Sequence, residues 1–290
     1  MNQENALSFQ NVSVRYLSGD TPALEQLSFS VAPGEFVGFM GSNGAGKSTT
    51  AQGIVGIIPH HVDAEVSGEI NVLGLDTQKV SVAELIEKGA GIVFQEPDMQ
   101  LTSINVELEV AFALENRGIE VEEMRSRIAQ ALKQVRLTGY EKRAPDQMSG
   151  GQKQALCIAA ALALRPKLLV LDEPTSQLDP IGSNLVFEVM KSLNEEYGIA
   201  MLVMEHKAEL LAKYCSRIIV VDHGKKVLEG TPSEVFSSVT MLKELGVPVP
   251  QVSELVESLG WIDRFKKEEF PVSEQQMFSY LQKVMGGGAE

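Results

Sequence analysis

Hydrophobic and polar positions alternate along the first forty residues of the chain. The alternation follows one parity before residue 10 and the other parity after residue 11, and it returns over residues 27–31. Because successive side chains of a strand point to opposite faces, this pattern predicts half-buried strands. The change of parity predicts a β-bulge near Gln10-Asn11. We therefore expect residues 6–40 to form a small antiparallel β region at the N-terminus.

Short, continuous hydrophobic runs follow at intervals through the rest of the chain. The runs are 35–40, 91–95, 168–171, 199–204 and 217–221, with shorter apolar stretches at 69–73 and 226–229. Runs without alternation predict strands that are buried on both faces, as in a parallel sheet covered by helices. The last run and residues 226–229 are separated by a turn and predict a hairpin. The pattern therefore predicts an α/β fold with a mostly parallel central sheet.

Helical periodicity occupies much of the remaining chain. Ser81 followed by Glu84 predicts a capped helix over residues 81–88. Two amphipathic stretches lie within residues 105–137. Because no strand pattern occurs between residue 95 and residue 148, we expect an inserted helical subdomain at about residues 96–148.

The composition of the chain changes after residue 238. The segment Val247-Pro-Val-Pro250 predicts an extended linker, and short helices are expected at about 251–259 and 273–284. The glycine-rich end, 286–290, is expected to fray. The sequence therefore predicts one domain over residues 1–238 and a C-terminal helical extension over 239–290.

Charge and hydrophobicity exclude several classes of function. The formal net charge is −14, and 44% of the 290 residues are hydrophobic. An acidic surface repels nucleic-acid phosphates, so we expect no nucleic-acid partner. We find neither the basic and apolar regions of a signal peptide at the N-terminus nor an apolar window of about 18 residues, so no membrane span is expected. Cys157 and Cys215 lie in apolar stretches without metal-ligand spacing, which favours reduced, buried thiols.

A glycine-rich loop follows the hydrophobic run 35–40 and precedes a predicted helix. Its residues are Gly41, Ser42, Asn43, Gly44, Ala45, Gly46, Lys47 and Ser48, with Thr49 next in the helix. The spacing G-x-x-x-x-G-K-S predicts a phosphate-binding loop, in which backbone N–H groups converge on phosphate oxygens. In such a loop, Lys47 reaches the β- and γ-phosphates and the Ser48 hydroxyl can bind Mg²⁺.

Polar residues follow two of the predicted buried strands at their carboxyl ends. Asp172 and Glu173 follow the run 168–171, and His206 closely follows the run 199–204. Parallel sheets bind ligands at this edge. A carboxylate such as Asp172 suits Mg²⁺, and Glu173 suits a general base for water. His206 could contact a γ-phosphate or serve a structural role.

Three further features each allow a functional and a structural interpretation. Ser149, Gly150, Gly151 and Gln152 begin an apolar helix and form either a second anion-accepting N-terminus or only a helix cap. Tyr16 ends a strand, where its ring could stack on adenine or pack across the sheet. His60-His61 could bind a metal ion, but adjacent side chains rarely converge on one ion, so a solvated loop is favoured.

Together these motifs resemble the nucleotide-binding domain of ABC ATPases over residues 5–238, in the order of that family. The matches are Gly41–Ser48 to Walker A, Gln95 to the Q-loop, Met148–Gln152 to the signature motif, Leu168–Asp172 to Walker B, Glu173 to the catalytic glutamate, Ser176–Asp179 to the D-loop, His206 to the H-loop and Tyr16 to the A-loop. The resemblance implies a P-loop NTPase fold. Met148 replaces the usual leucine of the signature motif, with similar volume.

The resemblance also implies roles for these residues in ATP hydrolysis. Two such domains pack head to tail, and each ATP lies between the Walker A loop of one and the signature motif of the other. The implied catalytic residues are Glu173, His206, Lys47 and Gln95. The implied nucleotide contacts are Tyr16, Gly41 to Thr49, Ser149, Gly150, Gly151, Gln152 and Asp179, and the implied Mg²⁺ ligands are Ser48, Gln95 and Asp172.

Within that family the chain resembles the ATPases of energy-coupling-factor (ECF) transporters. The residues that carry this likeness are Phe94–Asp98, Val106–Asn116 and Leu245–Leu255. The likeness implies a second ATPase, identical or paralogous, a membrane coupling protein and a small substrate-binding membrane subunit for a vitamin or metal ion. It implies a peripheral location at the cytoplasmic face of the membrane. We expect Gln95–Phe112 to line the groove for coupling helices, and residues 240–285 either to add dimer contacts or to form a solvated tail.

Other functions are compatible with the same ATP site. A conventional importer ATPase, served by a soluble binding protein, would differ only in its docking partner. A non-transport ABC ATPase acting on ribosomes or DNA usually has two cassettes or long coiled coils, and this chain shows one cassette without a long heptad run. A GTPase is disfavoured because no Asn-Lys-x-Asp motif occurs.

Overall fold

The computed structural model describes residues 5–286. The strands are β1 (Leu7–Tyr16), β2 (Leu24–Val31), β3 (Phe36–Gly41), β4 (Ala64–Val72), β5 (Leu75–Asp76), β6 (Ala90–Val93), β7 (Leu168–Asp172), β8 (Ala200–Met204), β9 (Arg217–Asp222) and β10 (Lys225–Gly230). The helices are α1 (Lys47–Ile54), α2 (Ile57–His60), α3 (Val82–Lys88), α4 (Val106–Glu115), α5 (Val121–Gln134), α6 (Gly150–Ala163), α7 (Pro180–Tyr197), α8 (Ala208–Tyr214), α9 (Pro232–Phe236), α10 (Val239–Glu244), α11 (Gln251–Ser258) and α12 (Glu274–Gly286). The chain end beyond residue 286, where fraying was predicted, lies outside the described residues.

Two β-sheets organise the described chain. The first is antiparallel in the order β2-β1-β4-β5, and the second has the order β10-β9-β3-β8-β7-β6. Within the second sheet, β9, β3, β8, β7 and β6 are parallel, and only the β9–β10 hairpin is antiparallel. This arrangement confirms the predicted α/β class with an antiparallel N-terminal sheet and a mostly parallel central sheet.

The predicted bulge lies in β1. The register of β1 against both of its neighbours shifts between residue 9 and residue 13, and Asn11 has a φ of 50°. An extra residue in one strand turns the following side chains to the other face, which explains the change of parity in the sequence. Strand β4 begins at residue 64 rather than residue 69, because its polar first half pairs with β1 through Ala64.

Strands β3, β7 and β8 of the central sheet are buried on both faces, and their side chains divide between two hydrophobic clusters. In β8, Met201 and Val203 belong to one cluster, and Leu202 and Met204 belong to the other. The same division occurs in β3, where Phe36 and Phe39 face opposite clusters. Burial on both faces is the reason that these strands are continuously apolar in sequence.

Helices α4 and α5 lie between β6 and β7 and pack against α6. Among residues 96–148 the structure contains no strand, as the sequence predicted. Within the described residues, no helix has the length and apolar character needed to cross a membrane.

The expected linker at residues 247–250 is not a linker. Val247 and Val249 are buried, and they belong to the same hydrophobic cluster as Phe187 and Met190 of α7. The backbone N–H of Val247 also donates to Leu242 O. The prediction was wrong because an alternating Val-Pro sequence is extended both in a linker and in a segment packed on a core. Helix α10, which precedes this segment, was not predicted either.

Candidate nucleotide-binding site

The glycine-rich loop connects the end of β3 to the start of α1, as predicted. A Cβ atom at Gly41 would lie 2.5 Å from Val221 O, and one at Gly46 would lie 2.7 Å from Ala23 O. Gly46 also has a φ of 102°, which a residue with a side chain rarely adopts. These two glycines therefore let the loop fold tightly against β9 and β2 and bring its backbone N–H groups together.

The middle of the loop is open to ligands. Asn43 and Gly44 are exposed, and a Cβ atom at Gly44 would meet no atom within 4 Å. Ser42 Oγ lies 3.5 Å from Asp222 Oδ1, and Ala45 is buried beneath the loop. The exposed part of the loop thus faces outward while its base is fixed.

Lys47 lies across the loop rather than in solvent. Its side chain is buried, and Nζ donates to Gly41 O at 3.1 Å and to Ser42 O at 3.2 Å. Burial lowers the pKa of Lys47, and the negative charges of Glu173 and Asp172 oppose that shift. A phosphate in the loop would therefore meet a pre-positioned cation.

Asp172 ends β7, which packs against α1, the helix that carries Ser48. Burial raises the pKa of Asp172, and the Ser48 side chain opposes this. Among the described residues there is no group of three acidic, histidine or cysteine side chains able to hold a metal alone. Mg²⁺ is commonly held by one or two carboxylates together with substrate phosphates, and the Ser48–Asp172 pair fits that mode.

Side chains that follow two strands of the central sheet converge on Glu173, which follows the strand between them. Gln95 Nε2 donates to Glu173 Oε2 at 2.9 Å, and a 2.9 Å hydrogen bond joins His206 Nε2 to Glu173 Oε1. These residues follow β6, β7 and β8, which are adjacent in the sheet, so their carboxyl ends lie at one edge. Glu173 also has a φ of 47°, and its N–H donates to Met204 O. A glutamate rarely adopts this backbone conformation, and such conformations cluster at functional sites.

Tyr16 lies beside the helix that follows the loop. A 2.8 Å hydrogen bond joins the hydroxyl groups of Tyr16 and Thr49, and Tyr16 Oη donates to Gln52 Oε1 at 3.4 Å. The hydroxyl group therefore anchors the ring to α1, a contact that the sequence did not predict.

The predicted signature residues form a second cluster. Ser149 caps α6, with its Oγ accepting from Gln152 N and its own N–H donating to Gln152 Oε1. Asp179 caps α7, and a Cβ atom at Gly150 would lie 3.4 Å from Leu178 Cδ2. Within residues 5–286, no hydrogen bond joins Ser149–Gln152 to the loop at Gly41–Ser48. Thus one chain presents two separate groups of anion-accepting backbone.

The paired histidines form no metal site with other described side chains. His60 and His61 are exposed, and His60 Nε2 is 2.9 Å from Thr77 O. His60 is the last residue of α2, and His61 follows it directly.

Two residues that flank His206 were missed by the sequence analysis. Glu205 is only 2% exposed and accepts hydrogen bonds from the Thr175 hydroxyl and from His206 N. Lys207 Nζ donates to Thr175 O at 2.8 Å. Two charged residues placed directly after a buried strand were the available signal, but their partners lie about 30 residues earlier in the sequence.

An apolar groove of about 360 Å³ lies between the central sheet and the helical segment, and Phe94 and Leu101 are among its lining residues. Of the stretch Gln95–Phe112, which the sequence places at a docking groove, Gln100, Leu101 and Glu109 line this apolar groove. Val106, also placed there by sequence analysis, is fully buried and belongs to the core instead. It occupies the first turn of α4, on the face that packs inward.

Comparison with known proteins identifies the family. A family model described as "ABC transporter" matches residues 24–176. A putative ABC transporter ATP-binding protein of Pyrococcus horikoshii is 42% identical over 280 residues, covering 96% of this chain and 98% of the relative. The energy-coupling factor transporter ATP-binding protein EcfA1 of Clostridium perfringens is 41% identical over 263 residues, covering 88% of this chain and 90% of the relative.

Solved structures agree with this result. The structure of CbiO1 from Clostridium perfringens, described as part of the ABC transporter complex CbiONQ, has a TM-score of 0.74 and 31% identity. The match covers 88% of this chain and 99% of that one. With its phosphate loop, its acidic strand end and its separate signature cluster, the chain belongs to the ABC transporter family as an ATP-binding cassette.

Proposed function

We propose that this chain is the ATP-hydrolysing subunit of an ECF-type importer and that Glu173 is the general base. The observation that carries the proposal is the Glu173 carboxylate, which is held by Gln95 and His206 beside the buried Lys47. A carboxylate fixed at this sheet edge can polarise a water molecule for attack on a γ-phosphate. The relatives named EcfA1 and the CbiO1 structure support the transporter subtype.

Different residues around the loop bind different parts of the nucleotide and its metal ion. The loop N–H groups and Lys47 bind the phosphates, and the Tyr16 ring, anchored by Thr49, stacks on the adenine. Ser48 and Asp172 hold Mg²⁺ together with phosphate oxygens, and Gln95 joins this set. When bound, Mg²⁺ neutralises part of the phosphate charge.

Gln95 changes its partner when the nucleotide binds, whereas His206 stays on Glu173. In the structure both donors bind Glu173, so both carboxylate oxygens are hydrogen-bonded. A hydrogen bond to a carboxylate stabilises its charged form and lowers its basicity, so release of one donor makes Glu173 a better proton acceptor. A bound cation offers the amide oxygen of Gln95 a ligand position, so nucleotide binding draws Gln95 away from Glu173 while His206 keeps the carboxylate in place beside the γ-phosphate.

The signature cluster acts on the ATP of a second cassette. Ser149, Gly150, Gly151 and Gln152 form a helix N-terminus that attracts anions, and they lie next to Asp179 rather than next to the loop of their own chain. A head-to-tail dimer of cassettes, identical or paralogous, brings this N-terminus to the partner's nucleotide. Ile181, beside Asp179, is 82% exposed, which suits a contact in such a dimer.

The apolar groove receives the membrane subunits at the cytoplasmic face of the membrane. Besides the groove itself, the segment between Met99 and Phe112 exposes several large apolar side chains, at Met99, Ile104, Leu108 and Phe112. Such an exposed group marks a docking surface. The partner in this proposal is a coupling protein with a small substrate-binding subunit for a vitamin or metal ion, and the relative named as an energy-coupling factor transporter ATP-binding protein supports a transporter of this type.

The C-terminal extension contributes to the contact between cassettes. It is packed on its own chain through Val247 and Phe270, yet it exposes Leu255, Leu259 and Phe278. Leu255 and Leu259 are four residues apart and so share one face of the α11 region. This exposed face suits a second area of dimer contact.

Replacement of Glu173 by glutamine tests the proposed reaction. Glu173→Gln retains size and hydrogen bonding but cannot accept the proton of water, so kcat for ATP hydrolysis should fall by about 100-fold or more. ATP affinity should remain within about threefold of wild type, because the loop and Lys47 are unchanged. Glu87→Gln, on the exposed surface of α3, is the matched control and should hydrolyse ATP as wild type does. Undiminished turnover in Glu173→Gln would exclude Glu173 as the base.

A further inference from the structure

Lys207 fixes the segment that follows Glu173. Its Nζ donates to Thr175 O at 2.8 Å, to Leu178 O at 3.1 Å and to Ser183 Oγ at 2.6 Å. An ammonium group has three N–H donors, so these contacts satisfy all of them. The acceptors are two backbone carbonyls and a hydroxyl, and within residues 5–286 no carboxylate forms a salt bridge with Lys207.

Glu205 holds the same segment from the other side of His206. Its carboxylate is buried and accepts from the Thr175 hydroxyl and from the backbone N–H of His206. Among the described residues no cationic side chain lies within salt-bridge distance of it. A buried charge is costly unless hydrogen bonds satisfy it. The hydrogen bond from Thr175 therefore helps to stabilise the buried carboxylate and ties it to the segment that follows Glu173.

The segment between Glu173 and Ser183 connects the two functional clusters of the chain. It begins at the proposed base and turns through the bonds Ser176 N to Glu173 O and Leu178 N to Thr175 O. It ends at Asp179, which caps α7 beside the signature residues. A displacement of this segment would move the base and the dimer-facing surface together.

We infer that Glu205 and Lys207 are positioning residues that lock the segment 173–183 to His206, so that the base and the surface facing the second cassette move as one unit. Because the unit spans both clusters, docking of the second cassette at Asp179 sets the position of Glu173. This inference rests on the proposed function for its effect on turnover, whereas the locking itself is a property of the isolated chain.

Two properties distinguish this role from general stabilisation. Charge-assisted hydrogen bonds to three acceptors of one short segment restrict that segment specifically. The phosphate loop and Lys47 receive no hydrogen bond from Lys207 in the described chain. Loss of the ammonium group should therefore reduce kcat and leave ATP binding intact.

The test compares Lys207→Met with Lys213→Met. Methionine keeps much of the apolar stem and removes the donors. Lys213 lies on α8, and its Nζ contacts Asn184 Oδ1 and the Tyr214 ring without contacting the segment. Hydrogen exchange of the amides of residues 175–179 is measured on the full chain without nucleotide. ATP turnover and ATP affinity are then measured on the complex that the tagged chain forms in its cell.

We expect amide exchange at residues 175–179 to accelerate by at least about tenfold in Lys207→Met only. We also expect kcat to fall by about tenfold or more, with ATP affinity within about threefold of wild type. Ser183→Ala removes one of the three acceptors and should give a smaller increase in exchange and a smaller fall in kcat. If Lys207→Met does not fold, the same two measurements on Ser183→Ala test the inference.

Equal exchange and equal turnover in Lys207→Met and Lys213→Met would overturn the inference. Faster exchange with unchanged kcat would also overturn it, because the segment would then be fixed without effect on the base. A wild-type complex that does not hydrolyse ATP would instead contradict the proposed function, and the exchange result would still decide whether Lys207 locks the segment.

Discussion

Replacement of His206 by alanine measures how much the position of Glu173 contributes to catalysis. The lost interaction is the 2.9 Å hydrogen bond between His206 Nε2 and Glu173 Oε1, whose side chains are 31% and 19% exposed. A hydrogen bond to a charged group in such a setting contributes about 1.5–3 kcal/mol. Since each 1.36 kcal/mol corresponds to a factor of ten, kcat should fall by about 10- to 150-fold. Loss of a γ-phosphate contact would add to this.

The assay combines steady-state phosphate release with equilibrium binding of a fluorescent ATP analogue. ATP affinity should change by less than about threefold, because the loop, Lys47 and Ser48 are untouched. His61→Ala, at an exposed position with no described side-chain hydrogen bond, serves as the control and should match wild type. A kcat within about twofold of wild type in His206→Ala would show that the hydrogen bond from His206 does not position Glu173 for catalysis. So would a loss of affinity equal to the loss of kcat/KM, which would assign His206 to ground-state binding alone.

Three further predictions concern the hydrophobic core, the contact of Tyr16 with adenine, and the docking groove. Val249→Asp places an unpaired charge in the hydrophobic cluster under the C-terminal extension and should lower the free energy of unfolding by about 3 kcal/mol or more in denaturant titrations. The side chain of Val284 is 54% exposed, so Val284→Asp should change the free energy of unfolding little. Tyr16→Phe removes the hydrogen bond to Thr49 but keeps the ring, so ATP affinity should fall by at most about fivefold. Tyr16→Ala also removes the ring and should lower ATP affinity by about a further tenfold. Equal effects of the two substitutions would indicate that the ring does not stack on adenine. Leu101→Glu should abolish co-purification with membrane subunits while ATP turnover of the isolated chain stays within about twofold of wild type, and Leu17→Glu, on the exposed end of the N-terminal sheet, should leave both intact.

Several residues of the candidate site carry local signals in the sequence, and the structure places them at the expected ends of strands and helices. The phosphate loop has fixed spacing between a buried strand and a helix, and Asp172 and Glu173 follow an apolar run directly. The capping box at Ser149 and Gln152 is likewise a short pattern, and the structure contains it. Local patterns of this kind can be located in the fold because strand and helix periodicity predict where each strand or helix ends.

The contacts between these residues could not be predicted in the same way. Gln95 and His206 converge on Glu173 because β6, β7 and β8 are neighbours, and that order depends on pairings between distant parts of the chain. The contacts of Lys207 with Thr175 and Ser183 have the same origin. Sequence patterns report the burial of a strand, but they do not report which strand lies beside it.

The error at residues 247–250 has a related cause. Proline and valine in alternation indicate an extended backbone, and burial of Val247 and Val249 depends on whether a hydrophobic surface is available elsewhere. Here α8, α10 and α11 supply members of the cluster that covers these side chains. Similarly, the polar first half of β4 forms a strand only because β1 offers it a partner.

Identification of the proteins that accompany this chain in its own cell tests the account most directly. The chain is tagged at its genomic position, the membrane is solubilised gently, and the purified material is analysed by mass spectrometry beside an untagged control. The account predicts a second ATP-binding cassette, or a second copy of this one, together with a coupling protein and a small membrane subunit. Recovery of two large permeases with a soluble binding protein, or of ribosomes without any membrane protein, would contradict it.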